Sequence, residues 1–386
     1  MPKEPDWIRY MRWNEGGPAP ASPPSATSAR PDCPPELLTV VVPTKNRARY
    51  LRATIDSILN QDYPAIECIV IDGASIDGSD KILQSYGDRI RWISEPDTGP
   101  FDAINKGWAM ASGQVLAWLN ADDTYTQGAV GCAMHFLATH PDVSVVHGAC
   151  GLTDGDGNLS FLLAAPRWDL DVAFEHCEHF IYQPTAFIRR EALERAGGGV
   201  VREWSHDYDL WFRIALTGGV IQEINVHLAN ARRDQPENDY GLPDRYGPAM
   251  VSMIRRLSLR EDLPPRLQVR RQRALSNAQA RCVRYLSLRF PRHWLIGAIS
   301  LTRACRTDPP NSVAVLSDSL VVIGWNHPSA ALAQRTSAGV IGGLAKVAGR
   351  LGPRFWSPGA IAMAALAIQI WGVGRAIRER PGEVGL

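Results

Sequence analysis

The chain has 386 residues, 45% of them hydrophobic, enough for one large domain with an appendage and the profile of an ordinary soluble enzyme. Its formal net charge of +1 hides two halves of opposite sign: residues 1–240 hold 20 Lys/Arg against 33 Asp/Glu, and residues 241–386 hold 21 against 7. Seven cysteines without a CxxC pair and an N-terminus (MPKEPDWIRYMRW) without an apolar stretch point to a reducing cytoplasm and away from secretion. No interleaving of aromatic and basic residues marks a nucleic-acid module, so the basic half suits an anionic membrane surface better.

Residues 18–35 (PAPASPPSATSARPDCPP) contain seven prolines and no helical or strand period, so residues 1–35 are expected to be a disordered Pro-rich segment. From Glu36 onward, apolar β-branched runs alternate with helical spacings. Strands are expected at 38–42, 68–71, 90–93, 115–119 and 143–146. Helices are expected through Leu51, Ile55 and Ile58, through Ile82 and Leu83, and over 103–111 and 129–137. Such alternation predicts a mostly parallel sheet flanked by helices, with ligands bound beyond the carboxyl ends of the strands. After Gly148 the pattern loosens, passing a Gly-Asp turn at 153–157 to a helical cluster around 207–216 that completes the site from the other side. Residues 246–386 are expected to form a basic, mainly helical C-terminal region, open to membrane association, with Leu275, Ala278, Cys282, Tyr285 and Leu286 as an apolar stripe. Residues 355–374 carry no charge and are long enough for a bilayer span, but their modest hydrophobicity suits a buried or interfacial helix at least as well.

Four strand ends carry polar residues that packing does not require: Pro43-Thr44-Lys45-Asn46-Arg47, the loop from Asp72 to Ser79, Glu95-Pro96-Asp97, and Asn120-Ala121-Asp122-Asp123. The second is no P-loop, because Ser79 stands where Lys is needed, and Asp77 or Ser79 would cap the next helix. No GxGxxG follows the first strand, which disfavours a dinucleotide-dependent oxidoreductase. His176-Cys177-Glu178-His179 lacks a second pair at zinc-site spacing and reads as ordinary side chains. Adjacent carboxylates at Asp122 and Asp123 repel unless a cation joins them, and hard oxygens suit Mn²⁺ or Mg²⁺. The plain alternative is a solvated acidic turn capping the helix near Gln127.

The order of the segments VVVPTKNRARYLRATIDSILNQDYP, IVIDGASIDGSDKIL and ISEPDTGPFDAINKGWAMASGQVLAWLNADD resembles glycosyltransferase family 2, whose members share the nucleotide-sugar-binding GT-A fold and invert the anomeric centre. The resemblance runs from about Leu38 to about Arg233. It implies a donor pocket shaped by Pro43, Thr44 and Asn46, with Asp72 meeting the base and Asp97 in the family's Glu-Pro-Asp turn. Asn105 and Lys106 would line the diphosphate, although an exposed helix face fits them equally well. Asp122 matches the metal ligand and Asp123 the following acid, while Asn120 replaces the commoner first Asp. Gln183 would border the acceptor. Asp207 matches the catalytic base, with His206 in place of the preceding acid, and is also open to a helix N-cap role. Asp234 occupies the position where the family often has a metal-binding His. The implied activity is metal-dependent transfer from a nucleotide sugar to a saccharide or lipid-linked acceptor by a transferase domain at 36–245. A non-catalytic nucleotide-sugar-binding scaffold is the rival, on the strength of Asn120, His206 and Asp234.

Overall fold

The computed structural model describes residue 21 and residues 35–177, 180–233 and 243–289. Most of the Pro-rich N-terminal segment, Asp234 and the uncharged stretch 355–374 lie outside the described residues. The chain divides into two units, Met1–Ala173 with Glu178–Asn238, and Phe174–Cys177 with Asp239–Leu386.

The first unit is built on β1 (Leu38–Thr44), whose seven residues are all buried. That is why LTVVVPT is a near-continuous apolar run: a strand covered on both faces has no solvent side to alternate with. It is followed by α1 (Ala48–Leu59), which buries Tyr50, Leu51, Thr54, Ile55 and Ile58 along one stripe, and by β2 (Ile66–Asp72) and α2 (Ser79–Gln84). Next come β3 (Arg91–Ser94), α3 (Pro100–Met110) and β4 (Val115–Trp118). Strands β3, β2, β1 and β4 lie side by side in parallel, as the strand-helix alternation predicts.

Past β4 the sheet changes character. The elements here are β5 (Thr124–Tyr125), α4 (Ala129–Thr139), β6 (Val143–Thr153), β7 (Leu159–Leu163), α5 (Leu170–His176) and β8 (Phe187–Arg189). They are followed by α6 (Arg190–Arg195), α7 (His206–Leu216) and β9 (Val220–Arg232). The order is β3-β2-β1-β4-β8-β6-β9-β5, with β7 on β6. Strand β8 runs antiparallel to β4 and β6, β5 antiparallel to β9, and β6 parallel to β9. The sheet is therefore mixed, and the parallel expectation holds for its first four strands. The loosened pattern after Gly148 conceals β9 and the second half of β6, whose start at 143–146 is expected from the sequence. Register shifts between them break the period of two, and β9 alternates exposed, half-buried and buried positions without a clean apolar face. Ala21 forms a bridge with Val226 of β9.

One face of the sheet packs Leu51, Ile55 and Ile58 against Val40, Val42 and Val70, together with Val130, Met134 and Leu137 of α4. Elsewhere Trp118 stacks on Trp211 of α7 at 5.9 Å and meets Trp108 of α3 edge-on at 5.4 Å.

In the second unit α8 (Pro243–Ser258), α9 (Pro265–Gln268) and α10 (Arg271–Arg289) follow one another. Helices α8 and α10 form an antiparallel hairpin. A Cβ at Gly247 would come 3.0 Å from Cys282, and at the other end Arg271 donates to the Arg260 carbonyl at 3.1 Å. Met250, Met253, Ile254 and Leu257 of α8 are buried, as are Ala274, Ala278 and Cys282 of α10. Of the expected stripe, Leu275 is half-buried, and the side chains of Tyr285 and Leu286 lie outside the described residues. Glu175 accepts hydrogen bonds from Arg270 and Arg273, and its carbonyl accepts the Asn277 amide at 2.7 Å. Among the described residues no helix is long and apolar enough to cross a membrane.

Candidate active site

The polar ends of β1, β2 and β3 are stitched to one another. Asn46 adopts φ 53°, a left-handed conformation that Asn tolerates better than most residues. Its N–H donates to Ser75 Oγ at 2.7 Å and its side-chain oxygen accepts the Ile76 N–H at 2.9 Å. Asp72 is fully buried; its carboxylate accepts the Ser75 N–H at 3.0 Å, the Ser94 hydroxyl at 2.6 Å and the Ser75 hydroxyl. Glycine at 73 lets the Asp97 carboxylate approach closely, since a Cβ there would lie 2.5 Å from it and force Asp97 or the loop to shift. Asp97 in turn accepts the Gly99 N–H at 3.1 Å. Asp77 receives the Ala48 N–H at the start of α1 and the Ser79 N–H and hydroxyl at the start of α2, so the expected capping role extends to both helices. Pro43 and Thr44 close β1, and Thr44 is buried with no partner for its hydroxyl among the described residues.

The fourth strand end holds the acid pair. The Asp123 N–H donates to the Asn120 carbonyl at 2.9 Å, closing a turn rather than capping α4, whose N-cap is Gly128. The Asp123 carboxylate accepts the Arg232 N–H at 3.1 Å and the Asn120 amide at 3.2 Å. Burial, reinforced by the charge of Asp122, pushes Asp123 well above the usual carboxylate range. Asp122 lies 3.8 Å from Arg47 Nε. Arg232 gathers the surroundings: its guanidinium donates to the carbonyls of Asp122, Asp154 and Gly155 and lies 4.5 Å over the Tyr50 ring. Among the described residues no three His, Cys, Asp or Glu side chains are grouped to hold a metal. The local oxygen donors are Asp122 and Asp123, and Asp234 lies outside the described residues.

Gln183 occupies a short 3₁₀ turn (Gln183–Thr185) and joins two neighbours, donating to the Trp118 carbonyl at 2.6 Å and accepting the Asn120 amide at 3.3 Å. His206 is buried between the rings of Phe101 at 6.3 Å and Trp118 at 6.2 Å, and its Nδ1 lies 3.1 Å from the Glu203 carbonyl. Helix α7 begins at His206 with Ser205 as its N-cap. Asp207 is therefore not the N-cap but the second residue of the first turn, where the helix dipole favours a carboxylate. Burial nevertheless raises Asp207 above the ordinary range, partly countered by His206 beside it and by backbone N–H groups.

Asn105 and Lys106 are engaged within the protein. The Asn105 amide is taken up by the Val200 backbone, and Lys106 pairs with Glu95 at 2.8 Å and Asp102 at 3.5 Å. The supporting roles of Ser75, Ser94 and Arg232 carry little local signal: two are lone serines, and Arg232 is visible only through its place before Asp234 in the family pattern.

Residues 39–197 match the sequence profile of "Glycosyl transferase family 2". An uncharacterized glycosyltransferase of Rickettsia typhi is 29% identical over 205 residues, 51% of this chain and 64% of that protein. The GalNAc(5)-diNAcBac-PP-undecaprenol beta-1,3-glucosyltransferase of Campylobacter jejuni is 35% identical over 128 residues, 32% of this chain and 40% of that protein. The chain thus spans less than two thirds of these relatives' lengths. Among solved structures, S. aureus TarS 1-349 in complex with UDP-GlcNAc superposes with a TM-score of 0.57 at 15% identity, over 78% of this chain and 92% of that one.

Proposed function

We propose that this chain is a glycosyl transferase family 2 enzyme of GT-A fold, as the match over residues 39–197 and the likeness to TarS support, and that it transfers a sugar from a nucleoside-diphosphate sugar to an acceptor hydroxyl, inverting the anomeric carbon, with residues 36–245 as the transferase domain. The observation that carries this reading is the position of Trp118. It ends β4 two residues before Asn120, and its ring meets His206, the neighbour of Asp207. A charge sink for the leaving group and a base for the nucleophile would then flank one rigid aromatic residue.

In this mechanism Asp207 takes the proton of the acceptor hydroxyl as that oxygen forms its bond to the anomeric carbon, while the bond from that carbon to the diphosphate oxygen breaks on the opposite face. A carboxylate whose affinity for protons is raised by burial is a better base than one in water. His206 and Gln183 border the acceptor. Pro43, Thr44, Asn46, Asp72 and Asp97 shape the nucleoside pocket, Lys106 and Asn120 complete the donor side, and Asn105, whose amide is taken up by Val200, acts by positioning rather than on the donor. The donor set suits Mn²⁺ or Mg²⁺: two adjacent carboxylates, one pushed up by burial and by its neighbour, concentrate negative charge that a hard cation would relieve. Asp122 with Asp123 would hold it, Asp234 would add a third oxygen ligand, and the ion would supply positive charge to the departing diphosphate. Asn120 leaves this set one negative charge short of the commoner pattern, which weakens metal affinity.

The Campylobacter relative's activity on an undecaprenol-linked glycan supports a saccharide or lipid-linked acceptor in surface polysaccharide or glycolipid assembly. The test is a ligand-dependent thermal shift with UDP-, GDP- and dTDP-sugars, with and without Mn²⁺ or Mg²⁺, followed by a transfer assay. Stabilisation by one donor class and turnover are expected. Donor binding without transfer or hydrolysis across a broad acceptor panel would make the protein a scaffold.

A further inference from the structure

The second unit ends its helical hairpin in a surface that the transfer reaction does not use. Arg271 reaches the Arg260 carbonyl, which brings the end of α8 and the start of α10 together at one tip. Leu259, one residue before Arg260, is 77% exposed, and Val269, two residues before Arg271, is 84% exposed. Buried Leu263 and Leu267 hold the intervening turn in place. Aliphatic side chains this exposed sit on the tip without being needed to pack it.

Their surroundings are basic. Residues 255–273 contain seven Arg and two acidic residues. Asp262 pairs with Arg260 at 2.5 Å and Glu175 with Arg270 and Arg273, and seven Arg against these acids and Glu261 leave the surroundings net positive. Arg255, Arg266 and Arg273 are exposed around the tip. Glu175 fixes Arg270 and Arg273 to the start of α10, so the collar is held in shape.

The geometry points to this tip as a docking surface for an anionic lipid bilayer, with Leu259 and Val269 entering the interface and the arginines meeting lipid phosphates. Lipid fits better than the alternatives. Residues 255–273 contain no aromatic side chain on which a base could stack, and a protruding turn offers no groove for an amphipathic peptide helix. A cationic collar around a few aliphatic residues combines the two signals that stable peripheral binding requires. Each basic residue near the surface contributes about fivefold to partitioning, and each aliphatic side chain fully leaving water contributes about tenfold or more.

Co-sedimentation of the full chain with vesicles tests this, comparing pure phosphatidylcholine with vesicles holding about 30% phosphatidylglycerol, the anionic charge that draws basic segments. Wild type is expected to sediment with the anionic vesicles only. Leu259→Glu/Val269→Glu is expected to lose at least about tenfold in partitioning, and Arg266→Glu to lose several-fold, both with unchanged melting temperature. Equal sedimentation of wild type and the double variant, equal binding to neutral and anionic vesicles, or retention on an oligonucleotide in place of vesicles would each overturn the proposal. Donor thermal shifts on the same preparations report on the transferase reading independently, since the tip carries no donor-binding residue.

Discussion

Asn105 and Val200, 95 positions apart, are joined by two hydrogen bonds: the amide nitrogen donates to the Val200 carbonyl at 2.8 Å and the amide oxygen accepts the Val200 N–H at 2.9 Å. Val200 follows three glycines with positive φ, Gly197, Gly198 and Gly199, a path that side chains would strain. From α7, Arg213 donates to the carbonyls of Ala196 and Gly199 and pairs with buried Asp209 at 2.6 Å. Beyond Val200, Arg202 reaches Thr98 beside the Glu-Pro-Asp turn, and the chain then enters α7 and Asp207. The donor-side turn and the proposed base are thus fixed to a common strap.

Asn105→Ala is therefore expected to lower stability by about 1–3 kcal/mol, since both Val200 groups lose their partner. It should also lower turnover more than donor affinity, because Asp207 loses its positioning while the nucleoside pocket stays whole. Melting temperature, donor affinity and the single-turnover rate on one preparation check this. A normal rate in a merely less stable protein would confine Asn105 to stability.

Gly73→Ala tests the donor pocket. The added methyl would meet the Asp97 carboxylate at 2.5 Å, inside any real contact, so Asp97 or the loop must move. Donor affinity is expected to fall about tenfold, on the order of 1.4 kcal/mol, with a smaller change in melting temperature, as calorimetry with the nucleoside diphosphate would show. Unaltered affinity would remove Asp97 from the donor site.

How much of this was legible in the sequence follows from how local each signal is. Strands β1, β2 and β4 and the helices between them show because these strands are covered apolar runs and the helices bury one stripe, while β3, exposed at both ends, shows through its short apolar pattern at 90–93. Strand β9 does not: VIQEINVHLANAR carries a bulged register against β6 and no clean alternation, so only its pairing reveals it. The strand ends stood out because acidic and polar residues there serve no packing role. Their partners were hidden, since Ser94 on Asp72 and Val200 on Asn105 meet through the fold alone. The cap at Asp207 was misplaced by two residues because Ser205 takes the N-cap without a side-chain bond to mark it.

Asp122→Asn is expected to abolish the metal-dependent part of nucleoside-diphosphate binding. Asp123 is already engaged by the Arg232 N–H and the Asn120 amide, so the remaining oxygens bind a hard cation weakly. Calorimetry with and without Mn²⁺ reads this directly. An affinity that still rises with Mn²⁺ would move the metal away from Asp122.

Asp207→Asn separates chemistry from architecture. The variant keeps the shape of the side chain and its place in the first turn of α7, but an amide cannot accept the acceptor's proton. Turnover is expected to fall by about 10² to 10⁴, the usual contribution of a general base, with donor affinity near wild type. Stability should move the other way. Burial raises the pKa of Asp207, so the folded state holds its proton more tightly than the unfolded chain does. The stabilisation from that proton is complete below the ordinary carboxylate range and is lost as pH climbs through the raised value. Near neutral pH the wild type carries a half-buried charge that Asn lacks, so Asp207→Asn should melt at the same temperature or higher at pH 7, and the difference should shrink in acid. The same raised value sets the acid limb of the wild-type rate, which should lie above the ordinary Asp range near 4. A variant turning over within a few-fold of wild type would reject Asp207 as the base, and a lower melting temperature at pH 7 would show that its carboxylate stabilises the helix start more than its burial costs.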